Sequence, residues 1–492
     1  MPELNRRSFL KSSLLATAST AVFPALAARG VAQSQRGTFA RVIGANEDIR
    51  YAVVGFGGRG KDHIKEMREV KGTRMVALCD VDQDNLNREL AQCEKRGERV
   101  KGYRDVRKLL QDPDIDVVTF ATPNHWHSLG AIWAIQSGKD VYVEKPISHE
   151  VWEGRQVVIA ARKYNRIVQA GTQCRSSHGI AEAIEWLRQG NIGKIIRARS
   201  LCYKRRPSIG KVNGPQAVPA SVDYDLWCGP AAKVPLMRTR LHYDWHWVWP
   251  TGNGDLGNQG IHQMDLGRWI LGEKELSPRV WSVGGRLGYV DDGTTPNTLI
   301  VFHDYKAAPL IFEVRGLPSA DGSKQMDRYH GADIGVVTDC EGGSMVISSY
   351  SGAKFFDKED KEIKSFEGSS SHFANFIEAV RSRKSAELKA DILDGHLSSA
   401  LCHTGNISYR LGTPHSPEEI REAVKADADL TEALGRMEQH LAANNVDLQK
   451  TPATLGAVLK MDPQSERFIG NHLANQLLTR EYRKPFVVPK RV

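Results

Sequence analysis

One short segment constrains this chain more than any other: an apolar run that ends in a cluster of glycines. Ile49-Arg50-Tyr51-Ala52-Val53-Val54 has the length and character of a buried strand, and it leads directly into Gly55-Phe56-Gly57-Gly58-Arg59-Gly60. A helical stretch to about Val70 follows, then a second strand from Arg74 to Asp80. G-x-G-x-x-G alone is a weak signal, but between a strand and a helix it is a dinucleotide fingerprint. Gly55 permits the tight turn, Gly57 lets backbone approach a pyrophosphate, and Gly60 lets the helix pack closely on the strand. The whole loop, with Phe56, Gly58 and Arg59, is therefore assigned to the cofactor, and the first helical amides point their positive dipole end at its phosphates. Asp80 closes the second strand 20 residues past Gly60, where a carboxylate accepts hydrogen bonds from the adenosine ribose. It would repel a 2′-phosphate, and no Arg or Lys follows until Arg88, so NAD is expected rather than its phosphorylated form.

The alternation continues with a strand ending Asp116 to Thr122, a helix, the strand Asp140 to Val143, another helix and the strand Ile167 to Ala170. Strands separated by helices imply right-handed crossovers and a parallel sheet covered on both faces. Residues 49–170 thus read as an N-terminal Rossmann domain, a doubly wound parallel sheet. Beyond Gly171 the loops lengthen and β-rich runs appear at Arg279 to Gly284, Thr298 to His303 and Leu310 to Val314. These predict an α+β substrate-binding domain over 171–415, with a large, mainly antiparallel open sheet. Helices are expected at His372 to Lys384 and Asp391 to Leu411, the second closed by Gly412 as a left-handed cap. Ser416-Pro417-Glu418-Glu419 reads as a capping box with proline at N1, opening a C-terminal helical extension over 416–492.

The first thirty residues are read as address rather than fold. Arg6-Arg7 precede a weakly apolar stretch, Leu14 to Ala27, that ends in Ala25-Leu26-Ala27. This resembles a twin-arginine (Tat) signal over residues 1–30, cleaved near Ala27, with 31–48 as a linker. Thr17, Ser19, Thr20 and Pro24 interrupt the stretch, which falls short of the ~20 residues that span a bilayer, so no stable membrane insertion is expected. The expected location is the periplasm and the expected partner the Tat export machinery. Lys plus Arg exceed Asp plus Glu by 67 to 58, but no long basic run stands out, which argues against a nucleic-acid partner. Seven cysteines without a C-x-x-C pair read as buried free thiols.

Two later strand ends point into the crevice that the glycine loop opens, because ligands of open α/β sheets lie beyond the carboxyl ends of the strands. They carry Thr122-Pro123-Asn124-His125-Trp126-His127 and Glu144-Lys145-Pro146. With the glycine loop, these motifs resemble the Gfo/Idh/MocA oxidoreductases over roughly Ile49 to Leu411. The resemblance implies that Lys145 sits beside the nicotinamide and exchanges the substrate's hydroxyl proton. Thr122, Pro123, Asn124, His127 and Glu144 would line the cofactor. A second-domain pattern, D-x-G-x-H-x-x-D, is matched by His262 and Asp265, but Asn258 stands where the family usually has Asp. An amide still holds a hydroxyl yet cannot accept a proton as a carboxylate does, so proton handling is expected of Lys145 and His262. Asn258, His262 and Arg175 are assigned to the substrate. So are Trp245 and Trp247, whose aromatic faces suit the C–H faces of a pyranose.

His125, His127, His242, His246 and His262 raise the question of a metal, but no H-E-x-x-H occurs and none is expected. The resemblance implies an exported NAD(H)-dependent oxidoreductase acting on a carbohydrate, with C3 of a glycoside as the first choice of carbon and a homo-oligomer as the expected assembly. Two rivals stand beside it. One is an NAD-dependent glycosidase working by transient oxidation and elimination, and the other is a sugar-sensing protein that kept the fold without the chemistry.

Overall fold

A computed structural model of the chain describes residues 47–492. The expected export signal, its cleavage site and nearly all of the linker lie outside the described residues.

The N-terminal layer is a six-stranded parallel sheet: β1 (Ile49–Val54), β2 (Thr73–Cys79), β3 (Lys101–Tyr103), β4 (Val117–Phe120), β5 (Asp140–Val143) and β6 (Val168–Ala170), in the order β3-β2-β1-β4-β5-β6. Strand β3, Lys-Gly-Tyr, escapes a reading by hydrophobic pattern because it is short, polar and at the edge. Helices α1 (Gly60–Glu69), α2 (Gln83–Lys95), α3 (Val106–Leu109), α4 (Asn124–Gln136) and α5 (Val151–Lys163) form the crossovers. Side-chain alternation along β1 feeds two cores. Ala52 and Val54 join the side holding Phe120, Leu129 and Ile132, whereas Tyr51 and Val53 join the side holding Ile64, Phe373 and Phe376. Helix α2 starts at an Asp82 cap that accepts from the Asp84 amide at 3.1 Å.

The second layer is a twelve-stranded sheet. At its centre lie β7 (Ile195–Tyr203), β8 (Arg279–Gly285), β9 (Thr298–His303), β10 (Leu310–Arg315) and β11 (Ile334–Cys340). Its main path runs from Glu362–Glu367 through Gly352–Phe356 and Gly343–Ile347 to these five central strands in the order β11-β7-β10-β9-β8, and on through Ala453–Leu455 to Thr413–His415. The pairing is antiparallel except between β7 and β10. Two buried helices, Gly260–Leu271 and Ile392–Arg410, cover its inner face through Ile261, Met264, Leu397 and Leu401. The first carries His262 and the second joins the sheet to the Rossmann layer.

Three expectations are corrected here. Gly412 is not a left-handed cap: the helix ends at Leu411 with φ −97°, and Gly412 is glycine because a Cβ would sit 2.3 Å from the Leu455 carbonyl oxygen. The stretch 416–492 is not helical throughout. Its capping box forms, with Ser416 Oγ accepting from the Glu419 amide at 3.3 Å. After Pro417–Val424 and Ala428–Ala443, however, the chain adds strands Ala453–Leu455, Leu459–Asp462 and Arg467–Phe468, then returns to the Rossmann core through Phe486 and Val488. The helix His372–Ser382, placed with the second domain on sequence order, packs on the Rossmann sheet through Phe373 and Phe376.

Candidate functional site

The site begins at the end of β1. Gly55 has φ +77°, a conformation that favours glycine, and a Cβ on Gly60 would lie 2.0 Å from the Gly55 carbonyl oxygen. By contrast, Gly58 faces open space and Gly57 meets only the Asn85 amide, at 3.6 Å. This is the geometry of a backbone cradle, closed where helix meets strand and open where a pyrophosphate would lie. A cavity of about 300 Å³ extends from it, lined by Gly55, Gly57, Gly58, Arg59, Asp80, Thr122, Pro123, Asn124 and His127 at one end and by Lys145, Asn258, Tyr243, Trp245 and His246 at the other. Phe56 and Gly60 shape the loop instead of lining it: the Phe56 ring is in the core.

Asp80 reaches the cavity from the end of β2. It accepts from the Phe56 amide at 3.1 Å and from the Asp82 amide at 2.9 Å, and burial raises its pKa. It therefore ties the glycine loop to the β2–α2 turn while keeping lone pairs for a ribose.

Glu144, at the end of β5, is the hub of the other end. Its Oε1 accepts from Arg59 Nε at 3.1 Å and from Gln173 Nε2 at 3.2 Å, and lies 3.1 Å from His63 Nε2. Burial opposes its charge, but the His63 contact and the Arg59 guanidinium hold its carboxyl well below the usual range. The other oxygen accepts from the Lys145 amide at 3.2 Å, which fixes the backbone of that residue. Lys145 Nζ then donates to the Asn258 carbonyl at 2.9 Å. Burial lowers its pKa, Glu144 opposes that effect and Arg59 adds to it.

His262, in the first turn of its helix, is 5% exposed, with Nδ1 unpartnered among the described residues and its ring 5.3 Å from that of Tyr350. Burial, then the Lys145 charge, lowers its pKa to about 3, so the imidazole is neutral. His127 is a staple: Nδ1 and Nε2 lie 2.6 and 2.8 Å from the Pro146 and Thr122 carbonyl oxygens, joining the two motif loops. Asn124 donates to Asn253 Oδ1 at 2.9 Å across the layers.

Three expected substrate residues do not line the cavity: His262, Arg175 and Trp247. Arg175 is locked in a buried pair, its Nε 2.8 Å from Asp265 Oδ2 and its guanidinium 5.2 Å from the Trp269 ring. Trp247 lies under the Arg206 guanidinium, 5.2 Å from it, and does not line the cavity. Trp245 does line it.

Other cavity residues went unrecognised in the sequence. His246 stacks on Trp245 at 3.6 Å, and its Nδ1 lies 2.6 Å from the Tyr243 carbonyl. Leu226, Trp227, His242 and Tyr243 come from the segment joining β7 to the His262 helix, which folds over the adenosine end. There the Gln83 amide donates to Ser221 O at 2.9 Å, the Asp223 amide donates to Val81 O at 3.0 Å, and His242 Nε2 lies 2.9 Å from Asp82 Oδ2. Trp245 and Trp247, read as sugar-facing, were the one sequence signal for this roof; Trp227 had none.

Comparison with known proteins agrees with this geometry. Residues 49–172 match the NAD-binding Rossmann fold of an oxidoreductase family, Gfo/Idh/MocA, and residues 201–295 match the C-terminal α/β domain of the same family. Relatives include a glycosyl hydrolase family 109 protein of Shewanella pealeana, 26% identical over 208 residues, and one of Shewanella baltica, 29% identical over 215. These matches cover 40% and 41% of this chain and 46% of each relative, so the similarity spans less than half of their length. Among solved structures, the WlbA dehydrogenase of Bordetella pertussis in complex with NADH and UDP-GlcNAcA is 19% identical, with a TM-score of 0.53 over 72% of this chain and 94% of its own. Levoglucosan dehydrogenase in complex with NADH and levoglucosan is 18% identical, with a TM-score of 0.53 over 72% and 95%. At these identities the structures establish the fold.

Proposed function

The chain belongs to the Gfo/Idh/MocA oxidoreductase family, and from that premise we propose that it is an NAD(H)-dependent enzyme that oxidises or reduces a ring carbon of a carbohydrate. The observation that carries this reading is the single cavity that joins the glycine cradle and Asp80 to Lys145. NAD, when bound, supplies the acceptor or donor of a hydride. Gly55, Gly57 and Gly58 would hold its pyrophosphate and Asp80 its ribose. Lys145 handles the hydroxyl proton: with burial favouring the neutral amine, Nζ can accept that proton and later return it. Glu144 and Asn258 fix the lysine from two sides, and His262, held neutral, accepts a hydrogen bond from a neighbouring hydroxyl. Trp245 and Tyr243 give the sugar an aromatic face. C3 of a glycoside, in the periplasm, is the specific assignment proposed.

A second reading is favoured by the roof over the adenosine end. A nucleotide under that segment exchanges slowly, which suits a cycle that returns it to its starting redox state, as in a glycosidase that oxidises, eliminates and reduces. The relatives named as family 109 glycosyl hydrolases point the same way. A panel of p-nitrophenyl glycosides given to the NAD-loaded protein separates the readings. Accumulating NADH supports the dehydrogenase, and release of p-nitrophenol with NAD unchanged supports the glycosidase. Neither signal, with NAD firmly bound, would leave a sugar-binding protein and remove both.

A further inference from the structure

The charge balance around the cavity bears on the kind of sugar it takes. Two buried carboxylates act on Lys145, and each is engaged by an arginine: Glu144 by Arg59, and Asp255 by Arg206, which donates to both of its oxygens at 2.8 Å. Two ammonium groups are treated differently. Lys145 donates to the backbone carbonyl of Asn258, and Lys204, just past the end of β7, donates to the side-chain oxygen of the next residue, Gln259, at 2.9 Å. Among the described residues neither lysine has a carboxylate oxygen within 4 Å: Lys145 meets a backbone carbonyl and Lys204 a neutral side-chain amide. Asn258 is also the position where the family pattern has Asp, so the departure removes a negative charge from this end of the cleft.

Beside Lys204 lies a second donor. Gln259 Nε2 donates to the Tyr350 hydroxyl at 2.8 Å, which leaves the phenolic hydrogen free to donate outward. Tyr350 is 46% exposed, and its ring adjoins that of His262. Burial of the phenol group pushes its pKa up to about 12, so it keeps that hydrogen at working pH. A half-buried ammonium and a phenol donor, both close to His262 and without a paired acid, form a receptor for an anion.

We propose that the substrate is an acidic sugar bearing a carboxylate, a glycuronide in chemical class, and that Lys204 with Tyr350 anchors that group while Lys145 acts on a ring hydroxyl. This rests on the carbohydrate reading above and narrows it. A charge-assisted hydrogen bond to one ammonium predicts a preference of about 10-fold to 100-fold for the acid over the matched neutral glycoside.

The test is calorimetric titration of the NAD-loaded protein with methyl glucuronide and methyl galacturonide, the two matched neutral methyl glycosides, and methyl glucoside 6-sulfate. The expected result is that one uronide binds at least about tenfold more tightly than its neutral counterpart, that the gap narrows as salt rises, and that Lys204→Met closes it. Equal or weaker binding of both acids, binding of none of these probes, or a gap that survives Lys204→Met would overturn the proposal. Tighter binding of the sulfate than of either uronide would overturn the carboxylate assignment. Should Lys204→Met fail to fold, the wild-type gap and its salt dependence still decide. Rapid mixing of the same sugars, read by nicotinamide absorbance, keeps the two levels apart: acid binding without reduction removes the hydride reading and leaves the anion site, while reduction by neutral sugars with no acid preference does the reverse.

Discussion

At the scale of single residues, the carboxylates Asp80 and Glu144 illustrate what a motif can and cannot disclose. Both were placed by motif, and both line the cavity, but their protein partners were invisible. Asp80 holds two backbone amides, and Glu144 gathers Arg59, His63 and Gln173 from three separate segments. Asp80→Ala is therefore expected to do double damage, removing a ribose acceptor and freeing the glycine loop. It should weaken NAD binding by more than about tenfold in a fluorescence titration, since hydrogen bonds to a charged group are worth about 1.5–3 kcal/mol each. Unchanged affinity would show that the carboxylate does not face the ribose. Arg175 shows the opposite failure. A lone arginine after a Rossmann strand looks free in sequence, and only the fold reveals that Asp265, ninety residues on, occupies it. Sequence separation hides such pairs because nothing local marks them.

At the scale of elements, the strand–glycine–helix–strand–acid unit was legible because local propensity and pattern agree along it. The roof was not. Residues 204–253 contain little regular structure, and what determines their path is tertiary: the Asp82–Val222 bridge, the His242–Asp82 contact and the packing of Trp227, Leu236 and Trp245. A hydrophobic period cannot report contacts of that kind. The roof account predicts that His242→Ala, which removes one tether at the adenosine end, speeds NAD release by about 3-fold to 10-fold, the effect expected for a partly exposed charge-assisted pair worth about 1 kcal/mol. Displacement of bound NADH followed by fluorescence measures it. A release rate equal to wild type would mean that the segment does not gate the nucleotide. Gly412 belongs to this scale too, since the left-handed cap rule failed where close approach to the Leu455 strand was the real demand.

For the molecule as a whole, class and order of layers were legible, but coverage was not. Over the centre of the large sheet, this chain's own helices Pro417–Val424 and Ala428–Ala443 pack on Trp281, Ile300 and Phe302, and the stretch holding Met326 and Tyr329 packs on Leu201 and Val337. The last segment then closes on the Rossmann side, with the Tyr482 hydroxyl donating to Glu153 at 2.9 Å and Phe486 packed 5.5 Å from the Trp126 ring. Such a multiply tied fold suits the proposed export after folding in the cytoplasm with cofactor in place. Replacing Arg6 and Arg7 with Lys should leave a longer precursor in the cytoplasm of a bacterial host, seen by fractionation and immunoblot. Equal periplasmic yield would contradict the export proposal.

The central claim is that this molecule moves a hydride between a sugar carbon and NAD while Lys145 carries the hydroxyl proton. The measurement that tests it most directly is rapid mixing of the NAD-loaded protein with the uronide and glycoside panel, read at the absorbance of reduced nicotinamide across pH, for wild type and Lys145→Ala. A transient or lasting reduced signal is predicted in wild type. Its rate should rise with pH on an acid limb, because the amine must be neutral to accept a proton, and burial places that limb below the ordinary lysine value of 10.5. Lys145→Ala should lose the limb and slow reduction by about 10²-fold to 10⁴-fold, with NAD affinity within a few-fold of wild type. No reduced signal with any sugar, or a Lys145→Ala protein that reduces at near the wild-type rate over the whole pH range, would contradict the account.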